Sequence, residues 1–244
     1  MSTHVFSLYV PHFFQNISSS ADSVLIDNEQ LIHRMVKVLR FGVNDSLIVF
    51  DQQQHATIKI VSIAKKNIMV AILFIKKNEK SFKNVTFLLP LLKKEALEQA
   101  VYSLCELGVT TIQLVVTEKS RKNLLNDKEY DRLLAIVIAA AEQSKHYRMS
   151  ELFKPKNLSE LLQHDLDGQK IAFDISGASL LDIKNNEQKN ISTNVVLIVG
   201  PEAGLTDSEL QNLKKFKFQF CALTDTVLRA VQAVALSAGV FLIK

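Results

Sequence analysis

The sequence predicts an α/β protein in two parts: a small β-rich domain, then a larger domain of alternating strands and helices on a mostly parallel sheet. Three observations carry this prediction. Short β-rich runs crowd residues 46 to 75, a charged break "KKNEKSFKN" follows at 76 to 84, and beyond it strands alternate with helical patterns. Late strands such as "VVLIV" (195 to 199) are apolar on both faces, as strands of a helix-covered parallel sheet must be.

In the first part, "SLIVF" (46 to 50), "ATIKIVSI" (56 to 63) and "NIMVAILFI" (67 to 75) are separated by the polar breaks "DQQQH" and "KKN", which predicts antiparallel hairpins. With "HVFSLYV" near the start and one helix, they make a small β-barrel or sandwich. The linker sets domains of 1–76 and 77–244. In the second part we read a strand at 85 to 92, a helix "KEALEQAVYSLCELG" closing at Gly108, and a strand at 111 to 117. A helix through "YDRLLAIVIAAAEQS" comes next, then strands at 170 to 175 and 195 to 199, a helix from Thr206, and a last helix "VLRAVQAVALSAGVFLI". Over more than three turns that last helix carries only Arg229 and Gln232 as strongly polar side chains, so it must be buried, either within one subunit or across a dimer interface.

The 244 residues are 48% hydrophobic, ample for a core that needs no disulfide. No apolar run approaches the roughly 18 residues of a membrane span. No secretory signal pattern opens the chain, so a cytoplasmic protein is expected. Cys105 and Cys221 lack metal-ligand spacing and read as buried free thiols; no metal is expected. The net charge of +4 is concentrated at the front: residues 1 to 80 hold nine Lys/Arg against six Asp/Glu. A polyanionic partner such as RNA would meet that end first.

Three segments carry the chemistry. In "VGPEAGLTDSE" a strand stops at Gly200, Pro201 fixes the turn, and Thr206 with Glu209 forms a capping box for the next helix. This is either an ordinary strand-to-helix turn or a ligand loop, since ligands in open α/β sheets sit beyond the carboxyl ends of strands. "FCALTDTVLRA" (220 to 230) also leads from a strand end to a helix, with Thr224 or Asp225 as possible caps. Arg229 would stand in the first helical turn, where a cation opposes the helix dipole, which points to a buried acid or an anionic substrate. In "LIHRMVKVLRFGVNDSLIVFD" (31 to 51), Leu31, Met35 and Val38 share one face of a helical wheel opposite Arg34, Lys37 and Arg40. That basic face is either solvated or a phosphate contact.

In this order the three segments resemble the bacterial 16S ribosomal RNA uridine N3-methyltransferases, the ribosomal small-subunit methyltransferase E family of the SPOUT class. "HRMVKVLRFGVNDSLIVFD" resembles the family's N-terminal motif, with Asn44 at its usual glycine. "ELGVTTIQLVVTEKS", "AAAEQS", "VGPEAGLTDSE" and "LTDTVLRAVQA" resemble its later motifs, so the likeness spans essentially the whole chain.

The resemblance implies a PUA-like RNA-binding β-barrel followed by a trefoil-knotted SPOUT domain, a homodimer packed through the knot-region helices, and 16S rRNA of the 30S subunit as partner. It implies S-adenosylmethionine in a pocket of three loops: Asp174 to Ser176, Val199 to Gly204, and Leu223 to Ala230. Cofactor contacts are expected from Ile175, Val199, Gly200, Pro201, Glu202, Gly204, Leu223, Val227, Leu228 and Ala230. RNA contacts are expected from Arg34, Lys37, Arg40 and Arg121, and catalytic roles from Arg229 and Glu202. Ala203, Thr226, Val231, Ser103 and His146 depart from the family's residues. An active N3-uridine methyltransferase and a weakly active or inactive homologue that binds cofactor and RNA therefore both stand.

Overall fold

A computed structural model describes residues 5–15, 17, 23–79, 83–120, 125–164, 166–179 and 193–242. They form two compact units, residues 1–80 with 141–148, and residues 81–140 with 149–244.

The first unit holds a five-stranded sheet in the order β1 (Ser7–Tyr9), β3 (Ser46–Phe50), β4 (Gln54–Ile63), β5 (Ile68–Lys77), β2 (Ser23–Ile26). The expected hairpins are there: Asp51 Oδ1 accepts from the N–H groups of Gln53 and Gln54 in the first turn, and the Ala64 N–H bonds Asn67 O in the second. β1 instead runs parallel to β3, and β2, only four residues long, closes the far edge. Leu47, Val49, Ile58, Ile60, Ile68 and Val70 bury one face against Ile32 and Met35.

The helix over those last two residues departs from the regular wheel. α1 (Glu29–His33), capped by the Asn28 side chain, passes into a π-helical stretch, Arg34–Val38, whose Arg34 C=O is bonded by the Leu39 N–H. The wider turn shifts the phase of the side chains. Met35 stays buried, but Val38 is 61% exposed, and Arg40 lies beyond the helix at φ 59°. Leu31, Met35 and Val38 therefore do not share one buried face. Asn44, where the resembling family has glycine, takes φ 75°, a left-handed conformation that asparagine tolerates better than most residues.

Residues 141–148 join this unit, although a boundary at residue 76 leaves them in the second part. Glu142 is the reason. Its carboxylate forms a two-pronged pair with the Arg34 guanidinium and accepts from the Tyr9 N–H, while its C=O accepts from the Ser7 hydroxyl. Tyr147 adds ring contacts with Phe50 and His55, and Asn78 bonds Tyr147 O.

The second unit is built on six parallel strands, in the order β11 (Gln219–Ala222), β9 (Gln169–Ser179), β10 (Asn194–Val199), β6 (Asn84–Pro90), β7 (Thr111–Val116), β8 (Glu151–Asn157). Alternate residues of β10 serve opposite faces, as its sequence requires. Val195, Leu197 and Val199 pack under α2 (Lys94–Leu107), α3 (Asp127–Ser144) and α6 (Ala230–Leu242). Val196 and Ile198 pack with Leu158 and Leu161 of α4 (Leu158–Leu161) and Leu213 of α5 (Asp207–Lys215). α2 ends at Gly108, in the left-handed region at φ 87°, as its glycine predicts. α5 begins with the expected Thr206–Glu209 capping box. Strand β8 was not foreseen: its segment "ELFKPKN" is polar and contains Pro155, a composition that only a sheet edge accommodates. Cys105 and Cys221 are buried free thiols, and burial pushes the Cys105 thiol up to about 11. No described helix is long and apolar enough to cross a membrane.

Arg34→Ala should expose the role of the Glu142 latch. It strips the cation from a carboxylate whose side chain is only 9% exposed, at a cost of about 1–3 kcal/mol. Amide hydrogen exchange should then speed up in both β1 and residues 141–148, and unchanged exchange there would assign the pair no stabilising weight.

Candidate functional site

In an all-parallel sheet every strand delivers its carboxyl end to the same edge, so the connections after β6, β9, β10 and β11 leave from neighbouring places. A cavity of about 590 Å³ opens there, within the range of small-molecule sites.

The first wall comes from β9. Between Phe220↔Ala172 and Cys221↔Ala178 the ladder with β11 skips residues 173–177, of which Phe173 stays paired with Val199 of β10 while the rest form a bulge. The strand thus runs to Ser179 rather than ending at residue 175, and Asp174 to Ser176 is a bulge within it rather than a loop after it. Gly177 makes this possible, because a Cβ there would lie 2.4 Å from Cys221 N. The bulge sets Asp174 and Ile175 on the cavity wall beside Phe173. Asp174 Oδ1 is occupied by the N–H and hydroxyl of Ser176.

The second wall is the turn after β10, with Val199, Gly200, Pro201, Glu202 and Gly204 on the cavity. It is closed by the Gly204 N–H bonding Pro201 O at 2.8 Å. A Cβ at Gly200 would sit 3.2 Å from Gly204 Cα, so the two sides of the turn touch. Gly204 itself has φ 72°. Ala203 is exposed and contributes nothing to the wall, so its extra methyl is accommodated. Glu202 faces the cavity, but its Oε1 accepts from the Lys93 N–H at 3.0 Å. That bond supplies the N-terminus of α2, where no side chain caps.

The third wall is the chain leading into α6: Leu223, Val227, Leu228, Arg229 and Ala230. The helix starts at Ala230 rather than Val227. Arg229 is consequently its N-terminal flank, with its C=O accepting from the Ala233 N–H, and not a first-turn residue. Neither Thr224 nor Asp225 caps the helix; the Thr224 hydroxyl bonds Thr226 O instead. No carboxylate pairs with Arg229 among the described residues. Val227 is 85% exposed at the rim. Thr226 and Val231 also line the cavity, so two departures from the family pattern fall inside the site, whereas Ser103 and His146 do not line it.

A fourth contribution, unforeseen in the sequence, is α2, which adds Glu95, Ala96 and Gln99. Its position at the carboxyl end of β6 was the available signal. The combination of apolar side chains (Ile175, Leu223, Val227, Leu228), closely approached backbone turns and a few polar groups suits a ligand with a flat ring and charged ends.

The basic residues belong to the first unit. Arg34 is engaged with Glu142 and keeps 42% of its side chain exposed; Lys37 and Arg40 are exposed. Arg121 lies outside the described residues.

Comparison with known proteins agrees with this arrangement. The chain is 26% identical over 225 residues to the ribosomal RNA small subunit methyltransferase E of Mesomycoplasma hyopneumoniae, covering 91% of this chain and 94% of that protein. It is 27% identical over 206 residues to the Rickettsia conorii protein of the same name, covering 83% and 82%. Among solved structures it shares its fold with a Legionella pneumophila protein solved with bound SAM (TM-score 0.84, 22% identity, 98% and 97% coverage). The fold is shared equally with a Neisseria gonorrhoeae ribosomal RNA small subunit methyltransferase E bound to S-adenosyl methionine (0.83, 24%, 97% and 96%). The family model described as RNA methyltransferase domain matches residues 78–242, and the chain belongs to that family.

Proposed function

We propose that this chain is an S-adenosylmethionine-dependent methyltransferase acting on N3 of a specific uridine in 16S rRNA of the 30S subunit. The observation that carries this reading is the convergence of residues 173–175 of β9, the turn at 199–204 and the segment 223–230 on one cavity at the carboxyl edge of the sheet. Its relatives are named ribosomal RNA small subunit methyltransferase E, and two neighbours in fold were solved with the cofactor.

The residues present fit the cofactor. Ile175, Leu223, Val227 and Leu228 line the cavity with apolar side chains that would hold the adenine, and backbone groups of Val199 to Gly204 and Leu228 to Ala230 would hold the cofactor's polar ends. Bound there, the cofactor supplies a methyl group activated on a sulfonium sulfur. The protein's share is alignment, exclusion of water and management of charge. As the uracil loses its N3 proton, negative charge spreads over its imide, and Arg229 stabilises that charge. Glu202, with Oε1 held by Lys93, can orient a polar group of cofactor or substrate with its second oxygen.

We assign a PUA-like RNA-binding role to residues 1–76 and a trefoil-knotted SPOUT fold to residues 77–244. The strand order supports the latter, since β11 returns past β10 to the outer side of β9. Lys37 and Arg40 are the RNA contacts best placed by exposure, with Arg34 shared with Glu142 and Arg121 as a further contact. A cytoplasmic homodimer completes the reading: α6 leaves Val231, Ala235, Leu236 and Val240 partly or largely uncovered in the single chain, an apolar face that a second copy would bury.

Thr226 and Val231 favour a second reading, a homologue that binds cofactor and RNA but transfers slowly or not at all, because they stand on the cavity wall where the family has arginine and glutamate. Labelled cofactor with 30S subunits lacking the modification separates the two. We expect label at one uridine N3; intact cofactor binding without label would establish the second reading.

Arg229→Ala should slow transfer by about a hundredfold to a thousandfold while calorimetric cofactor affinity changes little; equal losses would make it a cofactor residue. Lys37→Ala and Arg40→Ala should each weaken subunit binding and lower its salt slope by about 0.7, and an unaltered slope would return them to solvent. Leu236→Glu should convert a dimer to monomers in sedimentation, whereas a wild-type monomer would sink the dimer assignment.

A further inference from the structure

The cavity holds three carboxylates, and two of them each have one oxygen engaged. Asp174 is bonded by Ser176, and Glu202 by the Lys93 N–H. Glu95, in the first turn of α2, is solvent-exposed, lines the cavity and has no hydrogen-bond or ionic partner among the described residues. Gln99 stands four residues on, hence on the same face of the helix, and also lines the cavity with no hydrogen-bond partner among the described residues.

We propose that Glu95 accepts the N3 proton of the target uracil and that Gln99 holds a flanking carbonyl, an inference that rests on the methyltransferase reading above. The imide edge of uracil presents acceptor, donor, acceptor: one carbonyl, the N3–H, the other carbonyl. Its complement is donor, acceptor, donor, which the Gln99 amide, the Glu95 carboxylate and the Arg229 guanidinium supply on one cavity. As Glu95 takes the proton, the N3 electron pair forms the bond to the methyl carbon. The carbon–sulfur bond breaks with its pair returning to sulfur, and the sulfonium charge is cancelled. The proton then leaves Glu95 for solvent at the mouth of the cavity. The charged groups sharing this space are Arg229 at the start of α6, Asp174 on the β9 bulge and Glu202 on the turn after β10, with Lys93 and Lys94 preceding Glu95 on its own element.

An acidic residue in a first helical turn also favours the helix for dipole reasons, so the test reads more than rate. Glu95→Gln, Glu95→Asp and Glu95→Ala are compared with wild type for thermal midpoint, calorimetric cofactor affinity and labelling of unmodified 30S subunits against pH. We expect midpoint and cofactor affinity near wild type, and transfer by Glu95→Gln down about a hundredfold or more. That rate should recover toward high pH, where N3 ionises unaided, and Glu95→Asp should retain more activity than Glu95→Gln. Loaded with S-adenosylhomocysteine, wild type should bind subunits lacking the N3 methyl more tightly than subunits carrying it, and Glu95→Ala should lose this preference. A Glu95→Gln enzyme with wild-type rate and pH profile, an undiminished preference in Glu95→Ala, or a loss of cofactor affinity matching the loss of rate would each overturn the assignment. A wild-type protein that binds cofactor but labels no uridine N3 overturns the parent reading and Glu95's role with it, whereas labelled wild type beside an unimpaired Glu95→Gln overturns only the latter.

Discussion

The site depends on one constraint: parallel strands put all their carboxyl ends on one edge, and the connections there must be held together without a ladder of their own. Two carboxylates following β10 do this. Glu202 accepts from the Lys93 N–H in the connection after β6. Glu209, buried at the start of α5, accepts from the Glu118 N–H in the connection after β7 and from the Thr206 N–H in its own turn. The backbone between β10 and α5 is thereby tied to both neighbouring connections, and the cavity wall from Val199 to Gly204 inherits their rigidity. Burying the Glu209 carboxylate would be costly without those N–H donors, and with them the capping box serves the sheet edge as well as the helix.

A similar economy operates in the first unit, where Glu142 gathers Arg34, Tyr9 and Ser7 around one residue. The price of that latch is that Arg34 is no longer a free cation. The surface charge left near the π-helical stretch is carried by Lys37 and Arg40, and the left-handed backbone at Arg40 and Asn44 turns the chain from that stretch into β3.

Residues that depart from the family pattern fall into distinct physical classes. Asn44 adopts a left-handed conformation that a glycine would take freely, and Ala203 is exposed and does not line the cavity. Thr226 and Val231 replace charged groups on the cavity wall itself. Among the described residues that line the cavity, Arg229 is the cation, and Glu95 is a carboxylate with no hydrogen-bond or ionic partner.

Much was legible in the sequence because it rests on local physics. The two-sided apolar pattern of "VVLIV" made a buried parallel strand, Gly108 ended α2, Thr206 and Glu209 made a capping box, and the glycines of "GPEAG" made a close turn. All the residues expected to contact cofactor line one cavity, because strand-end motifs in a parallel sheet have no other edge to go to. Tertiary structure alone decided the rest, since it depends on partners distant in sequence. Gly177 lets the β9 bulge lie against Cys221, Pro155 is tolerated because β8 is an edge, Glu142 captures Arg34 across 108 residues, and α2 brings Glu95 and Gln99 to a site its own sequence does not announce. Periodicity and turn chemistry are properties of neighbours in the chain; bulges, ion pairs and the company a carboxylate keeps are properties of neighbours in space.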